Sequence, residues 1–314
     1  MTVRLRAAVV GVGHLGRFHA EKYAALEGVS LVGVVDRDRG RAAEVAAALG
    51  TRVFPDHRAL VGAADCASVA VPTRDHAAVA GDLLRAGIDV LVEKPLASTV
   101  AEGAELVRLA EGTGRVLQVG HLERFNPALR AAAAVVSEPR FLECHRLAPF
   151  VERGTDVDVI RDLMIHDLDL ILHFVGAEVV QVESVGVPVL TSRVDIANAR
   201  LRFANGCIAN VTASRVSLKR ERKLRIFQHD AYVAIDYDQR TVRICRRTPP
   251  ATPEGLPEIV VQEHDAGQGD PLRDEIAAFL AAVASRAAPA VSGRDGLRAL
   301  ELAERIVASL EQAG

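Results

Sequence analysis

Tryptophan is missing from this 314-residue chain, tyrosine occurs three times, and aromatic residues make up 4% of it. Cysteine is almost as sparse. Cys66, Cys144, Cys207 and Cys245 stand far apart with no Cys-x-x-Cys pair, which argues against structural zinc and a disulfide framework and fits a reducing cytoplasm. No stretch approaches the roughly 20 apolar residues of a membrane span, and the apolar run in "MTVRLRAAVVGVG" is too short for a signal peptide. A net charge of −3 gives no overall attraction to nucleic acid or anionic membranes. The basic run "LKRERKLR" (218–225) lacks the interleaved aromatics of a nucleic-acid surface. It reads as a solvated strand-edge cluster, with contact to a diphosphate as the alternative. Repeats and low-complexity tracts are absent too. With 49% hydrophobic and 25% charged residues, the expectation is a soluble cytoplasmic protein of two domains, with a small-molecule partner.

The first 120 residues alternate β-branched runs ending at Val10, Val35, Val71, Val92 and Val119 with helical patterns at 15–26, 38–49, 74–86 and 99–112. The runs are apolar on both faces, as in a parallel sheet covered by helices. This predicts a doubly wound Rossmann sheet over 1–120. From 121 the grammar changes. Asn126 and Pro127 open a short helix near 126–136, a strand follows near 140–147, and a helix is predicted over 158–175. Consecutive strand candidates then run from about 178 to 262, with a hairpin signal at Asn205-Gly206. Helices at 271–286 and 294–312 close the chain, the latter after a Ser292-x-x-Asp295 capping pattern. The expected second domain, 121–314, is α+β with a mainly antiparallel open sheet, its C-terminal helices free to pack back on the first domain.

"VVGVGHLGRFH" sets Gly11, Gly13 and Gly16 in G-x-G-x-x-G spacing between a strand and a helix. Such glycines allow a tight turn, close approach of a pyrophosphate, and close helix–strand packing, and the helix start offers free N–H groups. Asp36 ends the next strand twenty residues after Gly16. A carboxylate there accepts both ribose hydroxyls of NAD and repels the 2′-phosphate of NADP. Arg37, Arg39 and Arg41 soften that repulsion, so NADP stays open beside NAD.

Two further stretches carry chemistry. "VEKPLA" places Glu93, Lys94 and Pro95 at the carboxyl end of a parallel strand, the edge where ligands bind. A lysine there can hold a cofactor ribose or a substrate hydroxyl, although a Lys-Pro after a strand is also an ordinary turn. "DLMIHDLDLILHFVG" (162–176) is a greasy helix with one polar stripe. At about 100° per residue, Asp162, His166, Asp169 and His173 fall within roughly 60° of one another, and Asp167 points elsewhere. A four-ligand metal site on this helix is excluded, because Asp162 and His173 would lie about 16 Å apart. A solvated face is the expectation for Asp169 and His173. Asp162 and His166 suit catalysis. Histidine can take a hydroxyl proton near neutral pH, a carboxylate can orient it, and Lys94 can steady the developing charge on the oxygen. On this reading the stripe faces the cleft opposite the cofactor, and no metal is called for.

In order, "GVGHLGRFH", Asp36, "VPTRDH", "EKPLA" and Asp162-x-x-x-His166 resemble the glucose–fructose oxidoreductase/inositol dehydrogenase/MocA (Gfo/Idh/MocA) family of nicotinamide-dependent oxidoreductases, along essentially the whole chain. The resemblance implies that Lys94, Asp162 and His166 line the active site, and family members differ over whether the lysine or the histidine accepts the proton. It implies that Pro72, Thr73 and His76 lie near the cofactor, with His14, Leu15, Arg37 and Glu93 completing that set. Within the family, "VGHLERFNPAL" and "DVDVIRDLMIHDLDLIL" are most similar to UDP-N-acetylglucosamine 3-dehydrogenases, which oxidise the sugar 3-hydroxyl to a ketone. A free polyol or inositol as substrate, or a non-catalytic regulator, are the alternatives. Arg124, Asn126 and Arg153 become candidates to hold the nucleotide-sugar substrate, against plain readings as surface arginines and a helix cap. A homodimer or homotetramer packed sheet to sheet is expected.

Overall fold

The computed structural model describes residues 4–151, 157–248, 258–267 and 269–312. Five short parallel strands, β1 (Leu5–Val10), β2 (Val29–Val35), β3 (Cys66–Val69), β4 (Asp89–Glu93) and β5 (Leu117–Gly120), form one sheet in the order β2-β1-β3-β4-β5. Nearly every residue of β1, β3, β4 and β5 is buried, as a sheet covered on both faces requires. The covering helices are α1 (His14–Ala25), α2 (Arg39–Leu49), α3 (Thr73–Arg85) and α4 (Val100–Thr113). Local chemistry starts them. Asp38 caps α2 by accepting from the Arg41 N–H, and Thr99 and Glu102 cap α4 reciprocally.

The chain then forms α5 (Pro127–Ala133), with the Asn126 side-chain oxygen accepting from the Ala128 N–H and proline in the first turn. Strand β6 (Phe141–Leu147) leads to a helix that begins at Ile160. Its first turn, Ile160–Met164, is π-helical, and α6 (Ile165–Val175) continues it. Seven further strands, β7 (Val179–Val187), β8 (Ile196–Phe203), β9 (Ile208–Ser214), β10 (Glu221–Phe227), β11 (Ala231–Asp236), β12 (Thr241–Arg247) and β13 (Ile259–Asp265), join β6 in an eight-stranded sheet. Its order is β13-β12-β11-β10-β6-β9-β8-β7, and among the described residues only its β6–β9 pair is parallel. The Asn205-Gly206 hairpin joins β8 to β9. Alternating burial along β6, β8 and β11 marks a sheet with one covered face. Helices α7 (Pro271–Ser285) and α8 (Gly293–Gln312) end the described chain, and Ser292 and Asp295 cap α8 reciprocally.

The chain divides into two compact units, 1–122 with 270–300 and 123–269 with 301–314. α7 joins the first unit's core, where Ile276 and Phe279 pack with Ala20, Tyr23 and Leu91. Among the described residues, no helix is long and apolar enough to cross a membrane.

Candidate active site

The glycine loop is the best-defined part of the first unit. Gly11 has φ +85°, and a Cβ there would sit 2.7 Å from the Ala70 carbonyl oxygen. A Cβ on Gly16 would lie 1.7 Å from the Gly11 carbonyl oxygen, so α1 can start this close to β1 only with glycine. Gly13 differs, because a Cβ there meets nothing nearer than the Arg41 guanidinium at 3.9 Å. The loop therefore presents bare backbone to open space at the start of α1, which fits a pyrophosphate. Asp36 closes the loop. One carboxylate oxygen accepts from the Val12 N–H and the other from the Asp38 N–H, both at 2.8 Å. Each oxygen keeps a lone pair for a ribose hydroxyl. Arg41 lies 3.8 Å from Asp36, while Arg37 pairs with Asp75. His14 and Leu15 are exposed on the first turn of α1, and Pro72 is exposed with Thr73 half-buried at the start of α3.

His76 is buried rather than free to contact a ligand. Its Nδ1 lies 2.8 Å from the Pro95 carbonyl oxygen and its Nε2 2.9 Å from that of Val71. It therefore ties the turn after β3 to the Glu93-Lys94-Pro95 turn after β4. Burial holds its pKa below the usual histidine value, against the pull of the two carbonyls. Lys94 is half-buried, and its peptide bond to Pro95 is cis.

Beneath that turn lies a polar cluster that the sequence reading missed. Tyr23 Oη is 2.9 Å from Ser68 Oγ, which is 3.0 Å from His19 Nδ1, and His19 Nε2 is 2.9 Å from Glu93 Oε1. Glu275 of α7 is fully buried, and neither of its carboxylate oxygens has a hydrogen-bond partner among the described residues. His19, Glu93 and Glu275 each bring one donor atom within 4.8 Å of the other two. Burial, with Glu93 beside it, pushes the Glu275 carboxyl well above the usual range. Burial works against the Glu93 carboxylate too, but the His19 hydrogen bond and the neighbouring positive charge prevail and hold it low. A signal for this cluster was present, since His19 and Glu275 stand on the apolar stripes of α1 and α7 beside Tyr23 and Ile276.

In the second unit, Asp162 lies in the π-helical turn and His166 in the first turn of α6, both half-buried. The uniform α-helix expected over 158–175 is therefore corrected. π-Turns within helices recur at functional sites, and hydrophobic periodicity does not reveal their hydrogen-bond register. His173 is exposed, as a solvated face requires. Asp169 is not solvated: it is 1% exposed and held by Arg124 through two bonds of 2.7 and 2.8 Å. Asp167 pairs in the same bidentate way with Arg146 of β6, which also reaches Glu123. Arg124, expected to grip substrate, directs its Nε and one terminal nitrogen at this buried carboxylate. Asn126 is likewise occupied, capping α5 and donating to Glu123. Arg153 lies outside the described residues.

A family model described as "Oxidoreductase family, NAD-binding Rossmann fold" matches residues 5–121, and the Gfo/Idh/MocA C-terminal domain model matches 129–233. The chain belongs to the Gfo/Idh/MocA oxidoreductase family. It is 42% identical to the UDP-N-acetylglucosamine 3-dehydrogenase of Acidithiobacillus ferrooxidans over 98% of each chain. A solved structure of that enzyme superposes with a TM-score of 0.91 at 41% identity, again over 98% of both chains. The inositol 2-dehydrogenase of Rhizobium meliloti is 27% identical over 99% of this chain and 98% of its own. The Gfo/Idh/MocA assignment makes this protein an oxidoreductase with an NAD-binding Rossmann domain, as the sequence reading expected.

Proposed function

We propose that this protein is a cytoplasmic NAD-dependent dehydrogenase that oxidises the 3-hydroxyl of UDP-N-acetylglucosamine to the 3-keto sugar, as a homodimer or homotetramer. The observation that carries the reading is the 42% identity, over nearly the full length of both chains, to an enzyme of that name. NAD is favoured over NADP because Asp36 keeps a carboxylate at the ribose position and Arg37 is paired with Asp75. Bound NAD would supply the hydride acceptor, and the loop around Gly13 with Asp36 would hold it.

The chain's own residues handle the proton. His166 takes it from the reacting hydroxyl, Asp162 orients the imidazole or an adjacent hydroxyl, and Lys94 stabilises the negative charge developing on the oxygen. Asp36 and Gly13 bind the cofactor, and His76 keeps the Lys94 turn in place. The test is NADH formation by the purified protein with NAD and UDP-N-acetylglucosamine, with free N-acetylglucosamine and myo-inositol in parallel. A ketone trap draws an unfavourable equilibrium forward. Turnover with the nucleotide sugar alone is the expected result, and turnover with myo-inositol alone would move the substrate to a free polyol.

A further inference from the structure

We infer that Glu275 keeps its proton at neutral pH, leaving Glu93 as the single negative charge of a buried cluster that positions Lys94. The hydrogen-bond directions carry this inference. Among the described residues, the Tyr23 hydroxyl has one hydrogen-bond partner, Ser68. If Tyr23 donates to Ser68, Ser68 donates to His19 Nδ1, and His19 Nε2–H donates to Glu93 Oε1 at 2.9 Å. The protons of Tyr23, Ser68 and His19 then each have an acceptor, and the charge rests on Glu93. A doubly protonated His19 would donate to Ser68, and either the serine or the phenol proton would then lack an acceptor among the described residues. A neutral His19 cannot balance two carboxylates.

Glu275 is therefore the group that must be uncharged. It is fully buried, and its oxygens have no donor among the described residues. An ionised carboxylate so placed, within 4.8 Å of Glu93, would be costly in two ways, by desolvation and by like-charge repulsion. The raised pKa of Glu275 agrees with this geometry. The polar groups that face the cluster are His19 and Tyr23 of α1, Cys66 and Ser68 of β3, His76 of α3, Glu93 and Lys94 at the end of β4, and Gln118 of β5. Gln118 donates to the Glu275 backbone carbonyl, not to its side chain. A carboxylate oxygen of Glu93 also lies 3.3 Å from the Lys94 backbone N–H, so the cluster holds the lysine's turn as well as its counter-charge.

The claim about Lys94 rests on the proposed dehydrogenase activity, whereas the claim about the proton does not, so the two can fail separately. For the proton, thermal stability of wild type and Glu275→Gln is followed from about pH 5 to about pH 8. A carboxyl with a raised folded pKa loses stability as pH rises above its unfolded value. The glutamine variant should therefore be the more stable, by a margin that widens with pH. A variant less stable throughout this range would overturn the inference, as would one equivalent of a divalent metal in the purified protein with a melting temperature lowered by chelator. If the variant does not fold, infrared spectroscopy of the wild type decides. A protonated-carboxyl stretch at neutral pH that titrates away only in alkali supports the inference, and its absence contradicts it. For Lys94, which must stay protonated to steady the oxygen, Glu93→Gln should lower the alkaline apparent pKa of the kcat/KM profile by about one unit while Glu275→Gln leaves it in place. An unmoved profile in Glu93→Gln would detach the cluster from Lys94.

Discussion

His166 and Lys94 are the residues on which the proposed chemistry turns, and they fail in recognisable ways. Removing a general base typically lowers turnover by about 10²–10⁴-fold, so His166→Ala should lose kcat by about that factor while NAD binding, read by isothermal titration calorimetry, is unchanged. Full activity in this variant would remove His166 from the mechanism. Arg124 behaves differently. Its carboxylate partner Asp169 is 1% exposed, and leaving such a charge unpaired costs about 3–5 kcal/mol. Arg124→Ala should therefore show that loss in urea unfolding, and the double variant Arg124→Met, Asp169→Leu should recover most of it. A loss in substrate KM with no loss of stability would restore Arg124 to substrate binding. The two cases separate what the sequence made legible from what it did not. The glycine loop and Asp36 are legible because their spacing is local and each residue type has one steric or electrostatic reason to be there. The partnership of Arg124 with Asp169 joins residues 45 apart, and that of His19, Glu93 and Glu275 joins three distant segments; a polar residue on an apolar stripe shows that a partner is needed, but no local pattern says which residues meet.

Among the elements, caps were readable and helix register was not. Asn126, Ser292 and Asp295 make the capping bonds their sequence patterns imply. The π-helical turn at Ile160–Met164 carries Asp162 ahead of His166, yet its residues are as apolar as those of an ordinary helix start. A turn before β8 supplies another hidden element. Asp195 is fully buried and accepts from the backbone N–H groups of Val189, Leu190 and Thr191 at 2.7–2.8 Å and from the Thr191 hydroxyl at 2.8 Å. Burial opposes the charge, but these donors outweigh it and hold the Asp195 pKa at about 2. Because the folded value lies below the ordinary one, this contribution is complete above about pH 4 and is lost as pH falls through about 2. Asp195→Ala should cost on the order of 3 kcal/mol near neutrality, with the gap to wild type closing in acid. A gap that does not change with pH would mean that the carboxylate's charge is not what holds the turn.

At the scale of the whole molecule, the alternation of strands and helices followed by consecutive strands was enough to place a parallel sheet ahead of a mainly antiparallel one, and the two sheets have those orders. The route of the C-terminus was less legible. Residues 270–300 group with the first 122, because α7 offers Ile276, Phe279 and Val283 to the core around Ala20 and Tyr23. An amphipathic helix pattern says which face is apolar, not which unit receives it. The central claim is a hydride transfer from one carbon of one substrate, and its most direct test is isotopic. UDP-N-acetylglucosamine deuterated at C3 is incubated with the enzyme and NAD under a ketone trap, and the reduced nicotinamide is examined by mass spectrometry. Hydride transfer from C3 puts deuterium in the NADH and a 3-keto sugar in the trap. Unlabelled NADH, or deuterium retained at C3 while myo-inositol is oxidised, would contradict it.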